Sequence, residues 1–191
     1  MKITNHHNIN KVFEELIKSD DYDMGDVDIS VTGLIDSPKI RMLRGVHEND
    51  LVSELNSKIP AMLGTIIHEK LSSVPTPYPS VPEARLILEV DGWKISGQPD
   101  LVSLINDKVI LSDYKYTGEY SVRVGKIEWE RQLNVYAYLI KHGVRIDTGD
   151  PLLLDEKPIE KINKLVVTAI LRDWKQRMAM RDPDYPQAWV V

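Results

Sequence analysis

Residues 83–116 read EARLILEVDGWKISGQPDLVSLINDKVILSDYKY, and the reading of this stretch decides the fold. Residues 83–91 form an apolar, β-prone run that ends at Asp91-Gly92, a strong hairpin signal. Residues 93–104 read as the returning strand, interrupted near Gly97-Gln98-Pro99. Asn106-Asp107 makes the next turn, and residues 108–116 form a third strand, so a three-strand meander is expected. Working outward, Trp129, Leu133, Tyr136, Ala137 and Ile140 recur at helical spacing and predict a helix over about 125–141. Residues 164–171 (KLVVTAIL) predict another strand. On the N-terminal side, Pro75, Pro77, Pro79 and Pro82 forbid a helix and mark an extended linker. Before it, Pro60 is expected to open a helix with Met62, Leu63, Ile66, Ile67 and Leu71 on its apolar side. Pro38 starts a helical pattern that runs through Leu55. Residues 9–18 predict a short helix, residues 20–28 an acidic loop, and Ser30-Val31-Thr32 the start of the next unit. The expectation is an α/β chain with a mixed sheet and helices packed on it. No linker divides residues 1–191, so one domain is expected: an acidic extension over 1–28, a core over 29–140 and a basic segment over 157–191.

The chain has no cysteine, which removes disulfides, thiolate zinc sites, iron–sulfur clusters and cysteine nucleophiles. Any metal must be held by oxygen or imidazole ligands, which favour magnesium or manganese. The N-terminus lacks the apolar core of a signal peptide, and no stretch is long and apolar enough to span a bilayer. A cytoplasmic protein without membrane partners is expected. The net charge of -5 is unevenly spread. Residues 14–36 carry eight acids against Lys18 alone, whereas residues 157–181 carry seven bases against Glu160 and Asp173. A basic segment that includes Lys175 and Arg177 is either a solvated face or a phosphate-binding surface.

The chemistry starts at Asp113-Tyr114-Lys115. Residues two apart on a strand share a face, so Asp113 and Lys115 project together behind the apolar run Val109-Ile110-Leu111. Alone, such a pair reads as a salt bridge. Asp100 follows the Gly97-Gln98-Pro99 break, which bends the neighbouring strand and aims its carboxylate toward them, unless it is simply a turn aspartate. Converging carboxylates repel unless a cation lies between them. His68 lies on the preceding helix beside Glu69, and consecutive helix positions point about 100° apart, so the two are not expected to share one metal. Gln132 and Tyr136, four apart, share a face of the following helix and could bond a phosphate or a base, or else form a core-edge pair.

In order, Gly64-x-x-x-His68, Gly97-x-Pro99-Asp100, Asp113-x-Lys115 and Gln132-x-x-x-Tyr136 resemble the PD-(D/E)XK nuclease superfamily, in particular the branch with the RecB nuclease domain and phage exonucleases. Ser30-Val31-Thr32, Ser37-Pro38-Lys39, Leu43-Arg44 and Arg172-Asp173-Trp174 fit phage-type members. The resemblance implies a restriction-endonuclease-like mixed β-sheet core flanked by helices. It implies that His68, Asp100, Asp113 and the Tyr114 backbone carbonyl bind one or two Mg2+ or Mn2+ ions. Asp100, Asp113 and Lys115 would be catalytic, with Lys115 beside the scissile phosphate, and Gln132 and Tyr136 would help hold DNA and the site geometry. Glu83 is an accessory candidate. The four-cysteine iron–sulfur subgroup is excluded, and no ATP-binding loop accompanies the motifs. The implied activity is a metal-dependent deoxyribonuclease, an exonuclease acting on DNA ends in recombination, repair or degradation. The alternatives are an endonuclease of the same fold and a non-catalytic DNA-binding module. The expected partner is single- or double-stranded DNA, with a homo-oligomer or recombination protein as further candidates. The apolar end Ala188-Trp189-Val190-Val191 is open between a strand, a subunit contact and a truncated domain.

Overall fold

The structure is a computed structural model that describes residues 2–19, 26–182 and 184–191. Asp20, Asp21 and Asp23 of the expected acidic loop lie outside the described residues. In chain order the elements begin with β1 (Lys2–Thr4), α1 (Lys11–Lys18), β2 (Ile29–Ser30), α2 (Val31–Ile35) and α3 (Pro38–Val46). There follow β3 (Val52–Glu54), α4 (Leu55–Ser72), β4 (Ser80–Pro82), β5 (Leu86–Val90), β6 (Trp93–Gly97), β7 (Leu101–Ile105) and β8 (Lys108–Thr117). The chain continues through α5 (Glu119–Val124), α6 (Ile127–His142), β9 (Val144–Arg145), β10 (Leu153–Leu154), β11 (Lys157–Pro158), β12 (Lys164–Leu171), α7 (Gln176–Ala179) and β13 (Ala188–Val190).

Both expected hairpins form. Asp91 and Gly92 have φ 51° and 78°, and Asn106 and Asp107 have φ 50° and 60°. Positive φ at both central residues is the two-residue turn whose twist matches the flanking strands. The meander does not remain in one sheet, however. β5 and β6 belong to a four-stranded sheet in the order β2-β6-β5-β9, while β7 and β8 belong to a five-stranded sheet in the order β13-β12-β8-β7-β4. The chain leaves one sheet for the other at Gly97-Gln98-Pro99. Pro99 has no N–H to give a ladder, and Gly97 has no room for a side chain. A Cβ on Gly97 would meet Leu139 Cδ1, Val31 Cγ2 and Tyr136 Cε1 at 2.7–2.8 Å.

β8 and β12 are the parallel centre of the five-stranded sheet, and β7 pairs with β8 antiparallel. The linker prolines end in β4, an edge strand, where a missing N–H is tolerated. The apolar C-terminal run forms β13 on the other edge, antiparallel to β12. α6 packs against strands of both sheets through Trp129, Leu133, Tyr136, Leu139 and Ile140, all buried, and α4 packs against β8. Leu86, Val102, Leu111 and Ala169 are fully buried beneath them. Each such leucine contributes about 1.5–3 kcal/mol by leaving water.

Two helix boundaries differ from the sequence expectation. The pattern read from Pro38 to Leu55 ends at Val46, where the chain turns and both Asp50 N and Leu51 N donate to the His47 carbonyl. β3 then pairs in parallel with β1, and α4 begins at Leu55, which is fully buried. Pro60 therefore lies inside α4 rather than opening it. It costs that helix the hydrogen bond to the Asn56 carbonyl, an expense the burial of Leu55 and Met62 offsets. No helix among the described residues is long and apolar enough to cross a membrane.

Candidate active site

β8 presents Leu111, Asp113 and Lys115 on one face, and the first two are buried. Asp113 is 2% exposed, and among the described residues it is the one charged side chain buried to this degree. The register that sets Leu101 opposite Ser112 brings the preceding residue, Asp100, alongside Asp113 and Tyr114. Asp100 Oδ2 accepts a 2.5 Å hydrogen bond from Tyr114 N, and its Oδ1 lies 3.1 Å from His68 Nδ1 of α4. In an extended strand a residue's N–H and C=O face the same neighbouring strand, so the Tyr114 carbonyl faces the Asp100 side. The Tyr114 ring meets the His68 ring edge-on, with centroids 6.2 Å apart.

Lys115 is held from two sides. Its Nζ lies 2.7 Å from Asp113 Oδ2 and donates to Gln132 Oε1 at 2.9 Å. Gln132 Nε2 donates in turn to the Tyr136 hydroxyl at 3.0 Å. Tyr136 is buried against Gly97, so the sheet crossover, α6 and the lysine form one connected chain. These side chains line a cleft of about 570 Å³ together with Thr32, Ala61, Gly64, Thr65, Glu69, Glu83 and Gln98. Other surface clefts are of similar volume. One lies between α1 and α4 and another beside Trp129, but neither holds a comparable set of ionisable groups.

The electrostatics follow from burial. Removal from water pushes the Asp113 carboxyl up to about 6, with Asp100 adding to the rise while Lys115 and His68 oppose it. The hydrogen bond to the Asp100 carboxylate raises the His68 pKa against the effect of burial. Burial, with Asp100 nearby, raises that of Glu83. Glu83 adopts a left-handed backbone, φ 44°, and its N–H donates to the Asp100 carbonyl at 3.1 Å.

The donor set suits a hard divalent cation. It has two carboxylates, an imidazole and a backbone carbonyl, and Asp113 Oδ2 is buried with the Lys115 ammonium as its near neighbour. Among the described residues no three His, Asp or Glu side chains stand together in ligating positions. Lys115 instead balances the charge on Asp113, and His68 is hydrogen-bonded to Asp100.

The structure thus brings His68, Asp100, Asp113, Tyr114, Lys115, Gln132 and Tyr136 to one place, with Glu83 beside them. Lys175 and Arg177 do not line the cleft. Lys175 caps the start of α7, in the exposed segment that follows β12. Thr32 and Gln98 line the cleft without having been singled out as site groups from sequence, and Glu69, weighed there only as a rival ligand to His68, lines it too. Gln98 lies inside the Gly97–Pro99 break, the one signal that could have found it, and its Oε1 accepts from Arg85 at 3.2 Å.

Comparison with known proteins gives a family. A family model described as the PD-(D/E)XK nuclease superfamily matches residues 31–183. No curated protein matches the chain in sequence. Among solved structures, the crystal structure of SSO0001 is similar, with a TM-score of 0.57 and 19% identity over 85% of this chain and 72% of that one. Likeness at that identity speaks to the fold alone.

Proposed function

This chain belongs to the PD-(D/E)XK nuclease superfamily, and from that premise we propose that it is a Mg2+- or Mn2+-dependent deoxyribonuclease, an exonuclease of the RecB-like kind that acts on DNA ends. The observation that carries this reading is the convergence of Asp100, Asp113 and Lys115 from two paired strands on His68 from a helix, within one cleft. His68, Asp100, Asp113 and the Tyr114 carbonyl are the groups that would hold the ion. A divalent cation there supplies acidity to water and neutralises charge on phosphoryl oxygens.

The chain's own residues then do three things. Tyr114 N–H orients Asp100, so that its carboxylate is fixed before any substrate arrives. Gln132, held by Tyr136, keeps the Lys115 ammonium at the cleft wall, aimed where a phosphate would carry developing negative charge. The packing of α6 over β8 keeps Asp113 dry, which strengthens every charge interaction at that point. Lys175 and Arg177 lie outside the cleft, where they would contact the backbone of a longer DNA and supply affinity without sequence choice.

The test is cleavage of linear and covalently closed circular DNA with Mg2+ or Mn2+. The expected result is degradation of the linear form while the circle stays intact. Cleavage of both at similar rates would make the protein an endonuclease of the same fold. No cleavage of either would remove the enzymatic reading.

A further inference from the structure

The stretch from 37 to 50 has no buried residue. At its centre α3 exposes Ile40, Met42, Leu43 and Val46, at 45, 62, 43 and 71%. A helix of a folded domain ordinarily hides such a face, and contiguous exposed apolar surface marks a binding surface. The same helix carries Lys39, Arg41 and Arg44 and no acid, although the whole chain is acidic. At about 100° per residue, Met42, Val46, Leu43 and Ile40 fall within about 160° of the helix surface, with Arg44 and Arg41 next in order. Lys39 falls among the apolar residues. Arg44 is paired with the exposed Asp36 at 3.0 Å, and Arg41 reaches the Asp28 carbonyl at 3.4 Å. An exposed ion pair of this kind holds weakly, which leaves the guanidinium open to other anions.

Position gives the surface its meaning. α3 is bracketed in the chain by two helices that line the catalytic cleft: α2 through Thr32, and α4 through Ala61, Gly64, Thr65 and His68. Along the chain it joins those two helices, starting two residues after α2, with its apolar and basic faces uncovered.

We propose that α3 grips an unpaired DNA strand, its basic residues on phosphates and its apolar residues against unstacked bases, and feeds that strand to the cleft. This rests on the nuclease reading and narrows its substrate to single-stranded ends. A duplex offers α3 its phosphates but hides its base faces. Apolar contact therefore selects the single strand, while the basic residues serve either form.

The experiment uses the full chain. Lys39→Gln/Arg41→Gln and Met42→Ser/Val46→Ser are made separately, and circular dichroism melts confirm that these exposed changes leave the fold intact. Affinity for a labelled single-stranded oligodeoxynucleotide and for its duplex is measured by anisotropy in EDTA across a salt series. Neutralising the two bases is expected to weaken single-strand binding at least about tenfold and to reduce the salt slope by about 1.4. Removing the two apolar residues is expected to weaken single-strand binding severalfold, with the salt slope and the duplex affinity unchanged. If wild type binds and cleaves DNA while both variants keep its single-strand affinity, the role of α3 falls and the nuclease reading stands. If wild type binds no DNA, both fall. If wild type sediments as a dimer that the apolar variant dissociates, with single-strand affinity unchanged, α3 is a contact between subunits and the proposal is overturned.

Discussion

Replacing Asp113 by asparagine should stabilise the metal-free protein at neutral pH, although it removes a group on which the site depends. Burial lifts the Asp113 carboxyl from 3.8 to about 6. A carboxyl whose folded pKa is raised favours the fold when protonated. Its contribution is complete below about pH 4 and is lost as the pH climbs through about 6. At about 1.4 kcal/mol per pH unit, holding the ionised form costs the fold about 3 kcal/mol above pH 7. Asparagine keeps the shape and discards the charge. Lys115 then loses the partner 2.7 Å away but keeps Gln132, so part of the gain is returned. The expected net gain is about 1–2 kcal/mol at pH 8, shrinking to nothing or reversing near pH 4. Denaturant melts of both proteins in EDTA at the two pH values measure it. Adding Mn2+ should raise the wild-type midpoint and leave Asp113→Asn nearly unmoved, because the ion stabilises only a fold that binds it and asparagine removes an anionic ligand. An Asp113→Asn protein that is less stable than wild type at pH 8, or a difference independent of pH, would refute this reasoning.

Three other outcomes follow from the same geometry. Gly97→Ala should destabilise the fold by about 1–3 kcal/mol, because its Cβ would overlap Leu139, Val31 and Tyr136 at 2.7–2.8 Å; thermal melts check this. Gln132→Ala should lower kcat about tenfold with little change in KM, since it frees the Lys115 ammonium rather than removing a substrate contact; steady-state cleavage kinetics separate the two. Neutralising Lys175 and Arg177 should make the salt dependence of DNA binding shallower by about 1.4–1.8, and an unchanged slope would leave those residues as a solvated face.

Much of the fold was legible because its signals are local. Asp91-Gly92 and Asn106-Asp107 each specify one turn, and Lys164–Leu171 is a strand by composition and by position. What escaped depends on contacts distant in sequence. Nothing near Val52 announces that it pairs with Lys2, so the helical periodicity from Pro38 ran on to Leu55 instead of stopping at Val46. The Gly97–Pro99 break could be seen, but its passage from one sheet to another could not, since that depends on β12 claiming the far side of β8. At the site, Asp113 and Lys115 could be assigned a common face because strand period alone does so. The link from Gln132 to Lys115 needs α6 laid across β8, a packing fact. Thr32 enters the cleft through the packing of α2 against α6, which no spacing encodes.

The most direct measurement is single-turnover cleavage of an end-labelled DNA with Mn2+ by wild type, Asp113→Asn and Lys115→Ala, each first shown to be folded. The cleft described above requires cleavage by wild type and a loss of about 10²–10³-fold or more in both variants, with DNA binding retained. Variants that cleave at the wild-type rate would place the chemistry elsewhere in the chain.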